Sequence, residues 1–444
     1  MASFQSILSH RAALLASAAV AVTLVAMPDA AQAQAIWGGA GSTTFTSDYN
    51  LGSNWSTGVA PVGAGVAALF EGTGSTSVNV TAPVAVGAVY FNQIATSQSY
   101  VVTGAAITLA NVAADSIRNF ANAGQAISIA NDLNGGVSRI NQVGVSTLTL
   151  SGTSTFGTAD VFLGTLVNSG NLTINTVTIS GTGTYTNTGT TTGNISNSSS
   201  GSTFNNNSSA TLAGSLSQSG GSTANAGSIT GNVQTAGTFT NNTGGSVAGT
   251  TTVTGGTVTN SGGTFGVVDN GTGGTFDNTS GSAGAVSNAG TATNGGTIAS
   301  LTNSAGTFTN NSGGSVAGTT TITGGTVTNS GGTFAAVDNG TGGTFNNTSG
   351  SAGAVSNAGT ATNGGTIASL TNSAGTFTNN SGGSVAGTTT VTGGTVTNSG
   401  GTFAAVDNGT GGTFNNTSGS AGAVSNAGTA TNGGTIASLT NSAG

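Results

Sequence analysis

The stretch that decides the fold is Thr238-Phe239-Thr240-Asn241, together with its returns at Thr257-Val258-Thr259-Asn260, Thr275-Phe276-Asp277-Asn278 and Thr291-Ala292-Thr293-Asn294. Asn310 opens the next round. The asparagine steps are 19, 18, 16 and 16, which together make a 69-residue unit. Three whole copies follow one another, at 238–306, 307–375 and 376–444. Copies one and two differ at Thr243/Ser312, Val253/Ile322, Gly266/Ala335, Val267/Ala336 and Asp277/Asn346. Copies two and three differ only at Ile322/Val391. Four coils of about 17 residues per copy is the natural reading of such a short internal period.

Each unit alternates polar and apolar residues with a period of two, which is the pattern of a β-strand with one face turned inward. Thr and Val suit a pleated surface. Gly and Asn between the units read as corner residues able to take positive φ. Stacked coils place Asn over Asn, so their amides can form ladders. Second strands such as Val267-Val268 and Ser300-Leu301-Thr302 supply the opposite wall. No proline follows Pro83, as a stack requires, because every interior strand must donate hydrogen bonds. One copy holds eleven large apolar residues in 69 positions, so its stability must come from stacking on its neighbours. The expected fold is therefore all-β, a parallel β-helix or β-solenoid with an atypical N-terminal cap region.

Four segments follow along the 444 residues. Residues 1–33 read as a signal peptide: Arg11 and His10, an apolar run from Ala12 to Met27, then small-residue cleavage motifs, with cleavage expected after Ala33. Residues 34–165 form a less repetitive β-rich region containing Trp37 and Trp55. Its strands include Ser77-Val78-Asn79-Val80 and Val86 to Phe91, and Ala114 to Ala123 reads equally as a helix or as a turn and strand. Residues 166–237 carry degenerate repeats, and 238–444 the tandem copies. Trp37 and Trp55 are expected to cap the open end of the core, or else to offer a carbohydrate-stacking platform. Because Gly444 matches Gly375 at a copy boundary, the natural protein is expected to continue.

Composition removes whole classes of chemistry. The chain has no Cys and no Lys, one His (His10), three arginines and a net charge of -7. Nucleic acid is not an expected partner, because phosphate neutralisation needs clustered Lys or Arg. Beyond the leader, no base stands ready to activate a Ser or Thr nucleophile. A phosphate loop would need Lys. Asp269, Asp338 and Asp407 recur once per copy before Asn-Gly and read as turn formers, not as Ca²⁺ ligands. A carboxylate pair with an arginine could come only from Asp115 and Asp132 with Arg118 and Arg139. No catalytic, cofactor-binding or metal-binding residue is assigned, no cofactor is expected, and the chain is not expected to be an enzyme.

Trp37-Gly38-Gly39, Ser53-Asn54-Trp55-Ser56, Pro61 and Ala68-Leu69-Phe70 resemble the opening of many autotransporter passenger domains. Thr147-Leu148-Thr149-Leu150-Ser151-Gly152, Thr155-Phe156-Gly157 and Gly164-Thr165-Leu166-Val167-Asn168 resemble the passenger-associated β-strand repeat of that family. The resemblance covers residues 1–170 by motif and the rest by style. It implies an exported right-handed β-helix, displayed at the cell surface or released, and carried out by an outer-membrane β-barrel translocator. No barrel-like run of alternating strands appears before Gly444, which departs from the family pattern. The expected role is an adhesin or autoaggregation factor acting on host surfaces, abiotic surfaces or like cells. The alternative is a passive spacer or surface-layer element.

Overall fold

The computed structural model describes residues 33–39, 46–92, 98–110 and 115–444. The leader expectation for residues 1–32 lies outside the described residues. The chain winds as a right-handed-type parallel β-solenoid of about 20 turns, spaced about 18 residues apart. Two ladders run its length. One is built of short strands, the other of longer, bent ones. Every strand pairing within them is parallel, and each strand bonds to its counterparts one coil before and one coil after. Within the copies the asparagine steps of the sequence are the coil steps of the structure: Asn241, Asn260, Asn278, Asn294 and Asn310 are register partners.

One coil shows why the sequence folds this way. Gly325–Ser330 is a short strand with Val327 and Asn329 turned inward. Thr333–Asn339 is a long strand with Phe334, Val337 and Asn339 inward. Alternation breaks at Ala335 and Ala336, neither of which is buried. Two successive residues off the core turn the wall within the strand, so two strands enclose the core on three sides. Gly325 opens the short strand at the corner with φ +68°, and a Cβ there would lie 2.4 Å from the Gly306 carbonyl oxygen of the coil before it. Only glycine fits, on conformational and on steric grounds.

One continuous apolar core runs from Ala35 to Val424, and a small second cluster of Ala67, Leu69, Ala88 and Tyr90 lies among the N-terminal coils. Asp115–Asn119 is a strand, which settles the ambiguous stretch after Ala114 as far as it is described. The ladder passes through Thr147, Thr165 and Thr184 without a break in register.

The unit asparagine is not a corner residue, as the sequence suggested. It is inside. Asn168, Asn187, Asn206, Asn225 and every counterpart up to Asn416 are buried. The reason is strand parity: in Thr-Phe-Thr-Asn, Asn sits two residues after Phe and must share its face. The buried amides satisfy one another. Asn329 Nδ2 donates to Asn347 Oδ1 at 2.9 Å, Asn347 to Asn363 at 2.7 Å and Asn363 to Asn379 at 2.9 Å. The second hydrogen of Asn329 and of Asn347 goes to the Ser351 and Thr366 carbonyls. This ladder runs unbroken from Asn168 to Asn432.

A second amide ladder lies at the end of the long strands, in short runs such as Asn270-Asn288-Asn303 and Asn339-Asn357-Asn372. Val253, Ile322 and Val391 occupy the same column and interrupt it once per copy. The coil with the interruption is irregular in other ways. Its long strand carries a register shift. It places Thr251, Thr320 or Thr389 in the core with no partner for the buried hydroxyl, and the next run begins with an unpaired acceptor at Asn270, Asn339 or Asn408.

Candidate functional site

Three surfaces hold the residues that composition singled out. The first is the N-terminal end. Trp37 and Trp55 meet edge to face at 5.0 Å, Tyr49 packs on Trp55 at 4.9 Å, and Phe70 touches both indoles at 5.9 Å. Trp37 is 1% exposed and Trp55 0%. Their indole N–H groups donate to the Ser75 and Tyr49 carbonyls, as buried tryptophans require. Neither ring offers an open face, which withdraws the carbohydrate-stacking expectation. Burial also pushes the Tyr100 hydroxyl up to about 12 and raises that of Tyr49. Ala33 opens the first described strand, Ala33–Ile36, paired with Val66 to Leu69.

The second is an ionic cluster on the long sheet. Asp115, 2% exposed, accepts from Arg118 Nε at 2.6 Å, Arg139 Nε at 2.5 Å and Asn141 Nδ2 at 3.0 Å. Arg139 also reaches Asp160 at 3.1 Å. The Arg118 guanidinium lies 5.6 Å from the centroid of the Tyr90 ring. Cross-strand register builds the group, since Arg118, Asn141 and Asp160 are successive partners across three coils. Burial alone would raise Asp115, but hydrogen bonds from Asn141 and both arginines outweigh it and hold the carboxyl below its usual range. Asp160 moves the other way, raised by burial and by the Asp115 charge against the pull of Arg139. The sequence pointed to Asp132 as the second acid. Its Oδ1 instead accepts the Thr153 backbone N–H. A carboxylate saturated with donors is a clamp between coils.

The third surface is the outer side of the stack. Asp269, Asp338 and Asp407 are not turn formers: they lie within Thr264–Asn270, Thr333–Asn339 and Thr402–Asn408, facing water beside Ser287, Ser356 and Ser425. On the short-strand wall the first position of every unit forms one column of hydroxyls from Thr147 to Thr429, all Thr except Ser222. Sequence reading saw these threonines as outward, but not as an aligned column, because alignment depends on register. Elsewhere, a shallow groove of about 430 Å³ lies over Asn194, Ser215, Asn232 and Gln234. The side-chain Oδ1 atoms of Asn194 and Asn232 accept from the backbone N–H groups of Ser215 and Thr250, bridging a gap in the ladder. Among the described residues no group of His, Cys, Asp and Glu could hold a metal ion, and no helix is long and apolar enough to cross a membrane.

No protein-family model, curated protein or solved structure matches the chain.

Proposed function

We propose that this β-solenoid is an exported cell-surface rod that acts as an adhesin or autoaggregation factor, presenting one polar surface many times over. What supports the reading most is the outer hydroxyl column, repeated coil after coil on a neutral wall. Weak contacts repeated at fixed spacing combine into high avidity. The leader-like first 33 residues and the passenger-like motifs supply the route, with an outer-membrane translocator as the partner. Displaying the chain on a non-adherent bacterium should increase clumping or attachment to surfaces. Unchanged clumping and attachment, with the rod detected at the surface, would sink it.

One observation favours a spacer instead: the copies repeat the same faces and add no new chemistry. Removing residues 307–375 separates the two readings. It takes out four coils, about 19 Å of rod. A spacer keeps its activity at a shorter reach, whereas an adhesive wall loses avidity.

A further inference from the structure

From the geometry of the short-strand wall we infer that its threonine array binds crystalline water, the surface of ice. The inference rests on the adhesive reading and names its ligand. From residue 238 onward every coil presents at least two outward side chains on this wall, in two continuous columns; the longer strands add a third, at Asn242 and Ser261, Asn311 and Ser330, and Asn380 and Ser399. The first column is Thr238, Thr257, Thr275, Thr291, Thr307, Thr326 and so on to Thr429, without exception. The second column is threonine except at Asp277, Asn346 and Asn415, one polar substitute every fourth coil.

The lattice of the array follows from strand geometry. Neighbours in a column lie about 4.8 Å apart, and the two columns are separated by about 6.7 Å, two residues along a strand. Both repeats approach the oxygen spacings of a prism face of hexagonal ice. A threonine side chain carries a methyl group, which orders water around it, and a hydroxyl, which anchors that water.

Three further observations favour a crystalline, neutral ligand. The hydroxyls are available: among the described residues of both columns from 238 onward, those of Thr293, Thr362 and Thr431 bond to a protein group, each to the Asx residue one coil before it. None of the residues in either column from 238 onward is buried, and the short strands are flanked by small residues such as Thr254-Gly255-Gly256 and Ser261-Gly262-Gly263. The array is stiff, because the unbroken asparagine ladder lies directly behind it and sets the position of every coil. Sugar-ring stacking needs aromatic faces, and a charged polymer needs countercharge. The two columns from residue 238 onward hold no aromatic residue and one carboxylate, Asp277.

The test uses the full chain, labelled with a fluorophore at its N-terminus, in an ice-partition assay and in ice-recrystallisation assays. The folded protein should enter growing ice and suppress recrystallisation. Thr309→Tyr with Thr378→Tyr should lower both by roughly tenfold or more, since a break in a repeated array costs avidity. Thr309→Lys with Thr378→Lys serves as a second pair should the first perturb folding, which circular dichroism reports. Ser356→Tyr, on the long-strand wall, should leave both readouts unchanged. Exclusion of the folded wild type from ice overturns the inference, as does equal partition of the threonine variants. Retention on crystalline cellulose without uptake into ice also overturns it. Cell attachment that persists in either case leaves the adhesive reading standing, so the two failures are distinguishable.

Discussion

The N-terminal coils and the tandem copies share a winding but not a way of holding it. Around residues 33–165 the packing is individual. Trp37, Tyr49, Trp55 and Phe70 interlock in a cluster with no internal symmetry, and Asp115 ties two arginines on adjacent coils. From residue 238 the packing is repeated. Phe308-Phe334-Phe345 in one copy returns as Phe377-Phe403-Phe414 in the next, and neutral amides replace charges as the polar element inside. An end coil has one free side and must be closed by bulk. An interior coil needs only to match its neighbours, which identical sequences do automatically. A ladder of neutral amides also avoids the large desolvation cost of stacking charges.

Opposite substitutions sharpen the contrast. The largest effect is expected from Asn347→Asp. A carboxylate there can still accept from Asn329 but cannot donate to Asn363 Oδ1 or the Thr366 carbonyl. It would bury a charge against oxygen atoms, at a cost on the order of 4 kcal/mol. Urea unfolding followed by hydrogen exchange should place the loss in coils 326–376; protection there equal to wild type would refute the ladder's role.

The reverse exchange, Asp115→Asn, should weaken the N-terminal coils by about 2 kcal/mol, less than a fully buried pair because both arginines are partly exposed. Its pH dependence has a definite sign. A folded-state pKa below the usual range means that Asp115 stabilises the fold above that range. The contribution fades as pH falls through the folded value. Acid should therefore loosen coils 115–160, with Asp115→Asn flattening that loss, when hydrogen exchange is followed against pH. A wild-type profile in the variant would count against the clamp.

The smallest effect is a gain. Thr320→Val removes a buried hydroxyl without a partner and keeps the shape, so the rod should become more stable by about 1 kcal/mol. A higher urea midpoint checks it. No change would mean that the hydroxyl finds a partner, such as water.

The period of the repeat, the parallel stack and the alternation along each strand were legible in the sequence. A 69-residue unit divided by four equivalent asparagines leaves few foldings open, and threonines either side of one phenylalanine set the inward face. The tertiary structure alone decided what stands beside what. It sent the asparagines inside, since two residues after Phe is the same side of the strand, whereas their place at the ends of the units had argued for corners. It brought Asp160 to Arg139 and left Asp132 outside, because those contacts come from the register of coils about 20 residues apart, which no local pattern encodes. It turned scattered threonines into straight columns for the same reason: a side chain's neighbours across a ladder are set by pairing, and pairing exists only once the chain has closed its turns.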